Sequence, residues 1–224
     1  MQRTVYKVIA IRSKSGMDID KVLINRNQID WVGYEKLIDF LLKKKIHCLE
    51  GDFVEIGTLF GGGARKLSKF LEECSPEKTL YVIDIFDPLF DKTENTEGRS
   101  MAHLYCEALR LSGFTSQWEV FQRVTNGCKN IKVLKSDSKK AIIPSDKIAF
   151  AFIDGNHSPE YVLNDFYLIW DKLVPGGCIA FDDFEHDLPQ VTEAINQIIS
   201  KLSDQLKVSD CSESYIIYLT KTHS

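Results

Sequence analysis

Two apolar segments in the second half of the chain are each followed at once by aspartate. Residues 148–153 lead into Asp154, and residues 178–181 lead into Asp182 and Asp183. If these segments are neighbouring parallel strands about 4.8 Å apart, the three carboxylates meet at one edge of the sheet. Carboxylates that close repel one another unless a cation neutralises them. The pattern predicts a site for Mg²⁺, with Mn²⁺ or Ca²⁺ as alternatives; separate loop caps and solvated acids would also explain it.

A histidine, His157, follows three residues after the first of these aspartates. It precedes Ser158 and Pro159, which are typical of a helix N-terminus. The partial positive charge of that terminus disfavours an imidazolium, so we expect a neutral ring. A neutral imidazole beside a metal-bound hydroxyl is a competent general base, which makes His157 and Asp154 the candidate catalytic residues. The alternative is a histidine that only ties the loop to a backbone carbonyl.

A glycine-rich turn follows the predicted strand at residues 53–56. It contains Gly57, Gly61 and Gly63 and leads directly into a helical pattern. In doubly wound folds, such a turn lets the backbone approach a ligand at the carboxyl ends of the strands. The spacing fits neither a Walker A loop nor a dinucleotide fingerprint, because Leu59 occupies the second glycine position of the latter. The turn therefore lacks the pattern that binds a pyrophosphate. The alternative is that the glycines serve only to allow tight packing between helix and strand.

The next predicted strand ends at Asp84, about 20 residues beyond the glycines, where a carboxylate can accept both hydroxyls of a ribose. A site that can bind a ribose but not a pyrophosphate indicates an adenosine-containing ligand without a pyrophosphate. Asp84 could instead cap the following turn. After the third predicted strand, Asp137 and Ser138 lie at the same edge of the sheet, where an adenine would bind.

Composition limits the classes of protein to consider. The chain has 224 residues, of which 44% are apolar and 27% charged, as in ordinary globular proteins. Its 28 basic and 32 acidic residues give a net charge of -4, which argues against nucleic acid as a partner. The longest apolar run, residues 148–153, is too short to cross a bilayer, and the N-terminus lacks a secretory pattern. We expect a cytoplasmic protein that does not bind membranes.

Strand-like and helix-like segments alternate along the chain. The predicted strands are residues 53–56, 80–86, 131–134, 148–153, 178–181 and 215–219. The predicted helices between them are residues 63–73, 101–111, 117–125, 159–173 and 188–206. This order is typical of the α/β class with a doubly wound, mostly parallel sheet, and the last segments form a closing antiparallel hairpin. The glycines at 176 and 177 are expected to lie before a strand, as a stop signal for the preceding helix.

Two segments fall outside the alternation. Residues 1–50 are predicted to form an N-terminal extension with a cap helix at residues 31–45, leaving residues 51–224 as the ligand-binding domain. An edge strand at residues 4–11 could pair across a two-fold axis, which would give a homodimer. The polar residues 87–100 form a long loop, and loops of that length in a compact domain are often lids or substrate loops.

In this order, the motifs resemble those of class I S-adenosylmethionine-dependent methyltransferases. More narrowly, they are similar to the methyltransferase-24 group and to the macrocin-type and catechol-type O-methyltransferases. The resemblance runs from about residue 31 to the C-terminus and rests on residues 51–57, 82–84, 152–157, 175–177 and 182–183. It implies a Rossmann-like sheet of seven strands whose last strand is antiparallel.

The resemblance also assigns roles. The cofactor S-adenosyl-L-methionine would be bound by Glu55, Gly57, Thr58, Gly61, Gly63, Asp84, Asp137, Ser138 and Asp154. The metal ligands would be Asp154, Asp182 and Asp183. His157 stands where catechol-type enzymes carry their catalytic lysine, and macrocin-type enzymes lack a histidine in this loop. The resemblance therefore identifies neither the base nor the substrate.

The sequence thus predicts an S-adenosylmethionine-dependent, Mg²⁺-dependent O-methyltransferase. Its acceptor would be a hydroxyl of a small molecule such as a sugar, a phenol or a natural product. A metal-independent small-molecule methyltransferase is the main alternative. A nicotinamide-dependent oxidoreductase and a non-catalytic nucleoside-binding protein are further ones, and the missing dinucleotide fingerprint argues against the oxidoreductase.

Overall fold

A mixed seven-stranded sheet organises the part of the chain described by the computed structural model, residues 32–210 and 214–222. Its strands are β1 (Asp52–Ile56), β2 (Leu80–Asp84), β3 (Ile131–Lys135), β4 (Ile148–Ile153), β5 (Leu173–Phe181), β6 (Leu206–Asp210) and β7 (Ile217–Lys221). They lie in the order β3-β2-β1-β4-β5-β7-β6, and among them β7 alone runs opposite to the other six. The predicted fold class and closing hairpin are confirmed.

Within the described residues there are six helices, and a buried core lies on each face of the sheet. They are α1 (Tyr34–Lys44), α2 (Gly62–Cys74), α3 (Met101–Ser112), α4 (Gln117–Val124), α5 (Pro159–Trp170) and α6 (Pro189–Lys201). Two short 3-10 helices lie at Ile46–Cys48 and Ser138–Lys140. No helix among these residues is long and apolar enough to cross a membrane.

The central strand β4 shows why the predicted strands are continuous apolar runs in the sequence. Ala151 and Ile153 belong to the core under α5 and α6, whereas Phe150 and Phe152 belong to the core under α1 and α2. Since neighbouring side chains in a strand point to opposite faces, a strand covered by helices on both sides has no polar face. Helix α1 shares this second core, and the predicted domain boundary at residue 50 stays a prediction.

The glycines at 176 and 177 do not lie before a strand, as the sequence suggested, but inside β5. The register changes from Ile148 opposite Leu173 to Phe150 opposite Cys178, so the intervening residues of β5 bulge out of the sheet. The preceding helix already ends at Trp170, because the chain joins the sheet at once through a bond from Ile148 N to the carbonyl of residue 172.

Strand order decides where a ligand can bind. The chain moves outwards from β1 to β2 and β3 on one side and through β4 and β5 on the other, so the order reverses between β1 and β4. In open α/β sheets, ligands bind at such a point, beyond the carboxyl ends of the strands. Gly57 follows β1 and Asp154 follows β4, so the two predicted motifs flank this point. The predicted edge strand at residues 4–11, and the homodimer inferred from it, lie outside the described residues.

Candidate active site

A cavity of about 1030 Å³ opens where the parallel strands end. Its volume is at the upper end of the range for small-molecule sites, so it can hold a ligand the size of a nucleoside together with a second molecule. The predicted site residues that line it are Gly57, Thr58, Gly63, Asp84, Asp137, Ser138, Asp154, His157, Asp182 and Asp183. The fold therefore brings the dispersed motifs of the sequence into one cavity.

Asp84, at the end of β2, is held by backbone groups of the glycine-rich turn and of its own loop. One carboxylate oxygen accepts a hydrogen bond from Thr58 N at 2.9 Å, and the other accepts from Phe86 N at 2.6 Å. The Gln117 side-chain amide lies 3.5 Å from both oxygens. Burial raises the pKa of Asp84, and the backbone hydrogen bonds oppose the rise. Asp84 thus caps a turn and also faces the cavity, so the two sequence interpretations are compatible.

Glu55 lies behind the cavity and is fully buried in β1. Its Oε1 accepts a hydrogen bond of 2.7 Å from the Tyr34 hydroxyl, while Oε2 has no hydrogen-bond partner among the described residues. Burial raises the pKa of Glu55 to about 8, although the Tyr34 bond opposes it. Sequence reasoning missed Tyr34, because a buried acid on a strand signals that a partner exists but not which residue supplies it.

Each of the three glycines in the turn also has a packing reason. A Cβ on Gly57, at a φ of +81°, would lie 1.9 Å from the backbone oxygen of Asp154. A Cβ on Gly61 would meet the Phe121 ring at 2.6 Å, and one on Gly63 would meet the Tyr34 ring at 2.0 Å. Close packing against α1, α4 and the end of β4 therefore accounts for these residues without a ligand. Their contact with a cofactor stays a prediction.

Asp137 and Ser138, predicted to lie beside an adenine, begin the short 3-10 helix after β3. Asp137 Oδ1 accepts from Lys139 N at 3.0 Å, and Oδ2 accepts from the Tyr161 hydroxyl at 3.2 Å. Ser138 is buried. Because each Asp137 oxygen already has a protein donor, a ligand here would share an oxygen with one of them.

Three ligating side chains meet where β4 and β5 end. Nε2 of His157 lies 3.0 Å from Oδ2 of Asp183 and 3.7 Å from Oδ1 of Asp154. The ligating atoms of these three residues all lie within 4.8 Å of one another. The predicted adjacency of β4 and β5 is confirmed by their parallel pairing. The arrangement can hold a cation or bind a hydroxyl group, and the ligand role of these residues stays a prediction.

Asp182 differs from Asp183 in its position. In the described part of the chain, the groups of three side chains that could share an ion are Asp154, His157 and Asp183, and Asp183, His186 and Asp187. Asp182 is in neither group, although repulsion from Asp154 and Asp183 adds to the effect of burial in raising its pKa. Asp183 lies beyond the end of β5 and has a φ of +59°, so its side chain does not follow the alternation of the strand. The geometry therefore favours Asp183 over Asp182 as a ligand.

The two carboxylates of the first group differ in acidity. Burial raises the pKa of Asp154 to about 6, and the hydrogen bond to His157 opposes the rise. Burial would also raise the pKa of Asp183, but hydrogen bonds from His157 and His186 outweigh it and hold this pKa below its usual value. Asp183 is therefore the more acidic of the two, and Asp154 is the carboxylate that takes up a proton first as the pH falls towards 6.

His157 is buried and has a pKa well above its usual value. Burial alone would lower the pKa, but Tyr105 and the hydrogen bonds to Asp154, Asp183 and Asp91 raise it. Among the chain's own groups, the surrounding carboxylates outweigh the helix N-terminus, and the neutral imidazole expected beside a bound metal stays a prediction. The alternative partner, a backbone carbonyl, is wrong. Nδ1 of His157 instead lies 2.5 Å from Oδ2 of Asp91, a residue that sequence reasoning missed.

Comparisons with known proteins agree with this arrangement. Residues 54–184 match the methyltransferase-24 family, whose model is described as a methyltransferase domain. A stretch of 57 residues is 40% identical to an uncharacterized protein of Acanthamoeba polyphaga mimivirus, and the stretch covers 25% of this chain and 26% of that protein. This chain thus matches only about a quarter of that relative's length.

Two solved structures share the fold. The O-methyltransferase NovP has a TM-score of 0.63 at 19% identity, over 84% of this chain and 77% of NovP. CalS11, a TDP-rhamnose 3′-O-methyltransferase of calicheamicin biosynthesis, has a TM-score of 0.60 at 17% identity, over 92% of this chain and 87% of CalS11. The family match covers more than half of the chain and includes the glycine-rich turn, Asp84 and the carboxylate group. The chain therefore belongs to the methyltransferase-24 family of class I S-adenosylmethionine-dependent methyltransferases.

Proposed function

We propose that this methyltransferase is a metal-assisted O-methyltransferase whose acceptor is a hydroxyl of a small molecule. The observation that carries the proposal is that Asp154, His157 and Asp183 hold ligating atoms within 4.8 Å of one another in the cavity that Asp84 also lines. Methyl transfer requires an acceptor oxygen aligned with the methyl group and made nucleophilic. One cavity supplies both an anchor for the cofactor and a group that can bind a hydroxyl.

The cofactor contributes a methyl group on a positively charged sulfur. The chain's own residues would hold it, with Asp84 at the ribose, the turn around Gly57 at the methionine part, and Asp137 and Ser138 at the adenine. His157 would receive the hydroxyl proton at Nε2, the ring nitrogen on the side of Asp154 and Asp183. The O-methyl activity of NovP and CalS11 supports an oxygen acceptor, as does the choice of carboxylate and imidazole groups around the predicted acceptor position.

The ligating side chains fit a divalent cation. The carboxylates of Asp154 and Asp183 are hard oxygen donors, as Mg²⁺ and Mn²⁺ require, and Nε2 of His157 would lie beside the cation and stay available to receive the proton. A cation bound to Asp154 and Asp183 would lower the pKa of a bound hydroxyl, and it would remove the two negative charges that raise the pKa of His157. This would convert His157 from a proton-bearing group to a base at neutral pH.

One observation favours a second candidate, a metal-independent methyltransferase. The raised pKa of His157 makes its ring a positive charge between Asp91, Asp154 and Asp183, so the carboxylates already have a cation among themselves. In that case the carboxylates would bind acceptor hydroxyls or an amine directly, and His157 would not act as the base.

Metal binding distinguishes the two candidates. For chelator-treated protein at ten times the Mg²⁺ dissociation constant, we expect a stability gain of about 1.4 kcal/mol in thermal unfolding. Asp183→Asn should abolish the gain, and Asp204→Asn, at an exposed residue remote from the cavity, should retain it. If Asp182→Asn abolishes the gain as well, the three-carboxylate site predicted from the sequence is correct.

Activity is measured as S-adenosylhomocysteine release with catechol and methyl glucoside as hydroxylated probes, with and without chelator. Loss of turnover on chelation supports metal assistance, whereas full turnover supports the metal-independent candidate. Tight NAD binding would contradict the cofactor assignment. Tight S-adenosylhomocysteine binding without turnover of any hydroxylated acceptor would contradict the proposed activity.

A further inference from the structure

The loop after β2 reaches the candidate active site through Asp91. This side chain is 5% exposed. Its Oδ2 accepts from the backbone N of His157 at 3.2 Å and lies 2.5 Å from Nδ1 of the same residue. Its Oδ1 accepts from the backbone N of Thr93 at 2.9 Å and from the Thr93 hydroxyl at 2.7 Å. Both oxygens are therefore in use, and the carboxylate is fixed in one orientation.

The contact with Asp91 determines what the His157 ring can do. An ionised carboxylate only accepts hydrogen bonds, so Nδ1 must carry a proton while it faces Asp91. Nε2 is then the nitrogen that can exchange a proton with a ligand, and it is the one directed towards Asp154 and Asp183. A carboxylate on the far nitrogen of a functional imidazole selects the tautomer and the ring orientation in many metal and catalytic sites.

We propose that Asp91 is a positioning residue that acts through His157. It holds the ring so that Nε2, and not Nδ1, faces the acceptor hydroxyl. The inference rests on the proposed function, because it takes His157 as the proton acceptor. It gives residues 87–100, predicted only as a lid or substrate loop, a defined part in the chemistry of the site.

The same loop has a second anchor, which provides a matched control. The Asn95 side-chain amide donates to Oδ2 of Asp187 at 3.0 Å, and Thr96 N donates to the Asp187 carbonyl at 2.9 Å. Oδ1 of Asn95 also accepts from two backbone groups of the loop, at Glu97 and Arg99. Asn95→Ala therefore loosens the loop without touching His157. A role of Asp91 in loop order alone would make the two variants behave alike.

The test compares kcat, the acceptor KM and S-adenosylhomocysteine affinity, with catechol as the probe. For Asp91→Asn we expect kcat to fall by about 10- to 100-fold, the usual effect of removing a carboxylate behind a functional histidine, with both other quantities within about twofold. For Asn95→Ala we expect kcat within about threefold and a higher acceptor KM. Thr93→Val removes one hydrogen bond to Asp91 and should lower kcat by a smaller factor. This variant replaces Asp91→Asn in the test if Asp91→Asn does not fold.

A spectroscopic readout does not depend on turnover. In ¹⁵N spectra of protein saturated with S-adenosylhomocysteine and Mg²⁺, the neutral wild-type His157 ring should carry its proton at Nδ1. Asp91→Ala should lose this selection and Asn95→Ala should keep it. An Asp91→Ala protein with the wild-type tautomer would overturn the inference, and so would equal kcat losses in Asp91→Asn and Asn95→Ala.

His157→Gln separates the inference from the proposed function. A loss of at least 100-fold in kcat for this variant, together with normal kcat for Asp91→Asn, would overturn only the role of Asp91. Normal kcat for His157→Gln would overturn the base assignment itself and the role of Asp91 with it.

Discussion

Replacement of Asp84 by asparagine tests the cofactor site most directly. The carboxylate accepts one hydrogen bond from Thr58 N and one from Phe86 N, and it lines the cavity at the predicted ribose position. Asp84→Asn keeps the size of the side chain but removes the charge and turns one acceptor into a donor. That donor would face a backbone N–H, so the variant loses a hydrogen bond within the protein as well as one to the ligand.

Both losses can be estimated. A hydrogen bond to a charged group contributes about 1.5–3 kcal/mol, so S-adenosylhomocysteine should bind about 10- to 150-fold more weakly to Asp84→Asn. An unsatisfied buried backbone group costs about 1–3 kcal/mol of folding stability. Because burial raises the pKa of Asp84, the comparison is made at mildly alkaline pH, which favours the ionised carboxylate in the wild type.

Isothermal titration calorimetry with S-adenosylhomocysteine measures the binding loss. Asp52→Asn is a matched control, since Asp52 Oδ1 accepts from Thr79 N at 2.8 Å at the opposite end of β1. Its amide oxygen can still accept from Thr79 N, so it should lose less stability than Asp84→Asn and bind the ligand normally. The reasoning is refuted if folded Asp84→Asn binds within twofold of the wild type, or if the control binds as weakly.

Two further predictions concern folding. Gly57→Ala should destabilise the protein by more than about 3 kcal/mol in urea unfolding, because its Cβ would lie 1.9 Å from the Asp154 backbone oxygen. The control Gly98→Ala is also at positive φ but would have nothing within 4 Å of its Cβ, so it should cost only about 1–2 kcal/mol. Similar losses of stability in the two variants would contradict the packing argument. Burial raises the pKa of Glu55 to about 8, above its unfolded value, so the native state holds an extra proton between about pH 4.5 and 8 and stability should fall as pH rises through this window. Glu55→Gln should remove a pH dependence of stability that totals about 5 kcal/mol, and an unchanged pH profile would show that Glu55 titrates normally.

The sequence determined the fold and the edge of the sheet at which the site lies. Apolar runs such as residues 148–153 identify buried parallel strands, and Asp84 and Asp154 follow such runs directly. The position of a residue relative to a strand end is a local property. Right-handed crossovers then bring the carboxyl ends of all the parallel strands to the same edge. The family resemblance depends on the same local motifs.

The tertiary structure alone decided which groups meet and how they are charged. Asp91 and His157 are separated by 66 residues, and no local pattern links a loop carboxylate to a particular histidine. Likewise, Tyr34 bonds Glu55, and Asp183 rather than Asp182 approaches His157. The charge of His157 follows from the sum of several nearby carboxylates and its burial, each of which depends on distance. Such sums are fixed by packing between distant parts of the chain, and the sequence specifies them only through the complete fold.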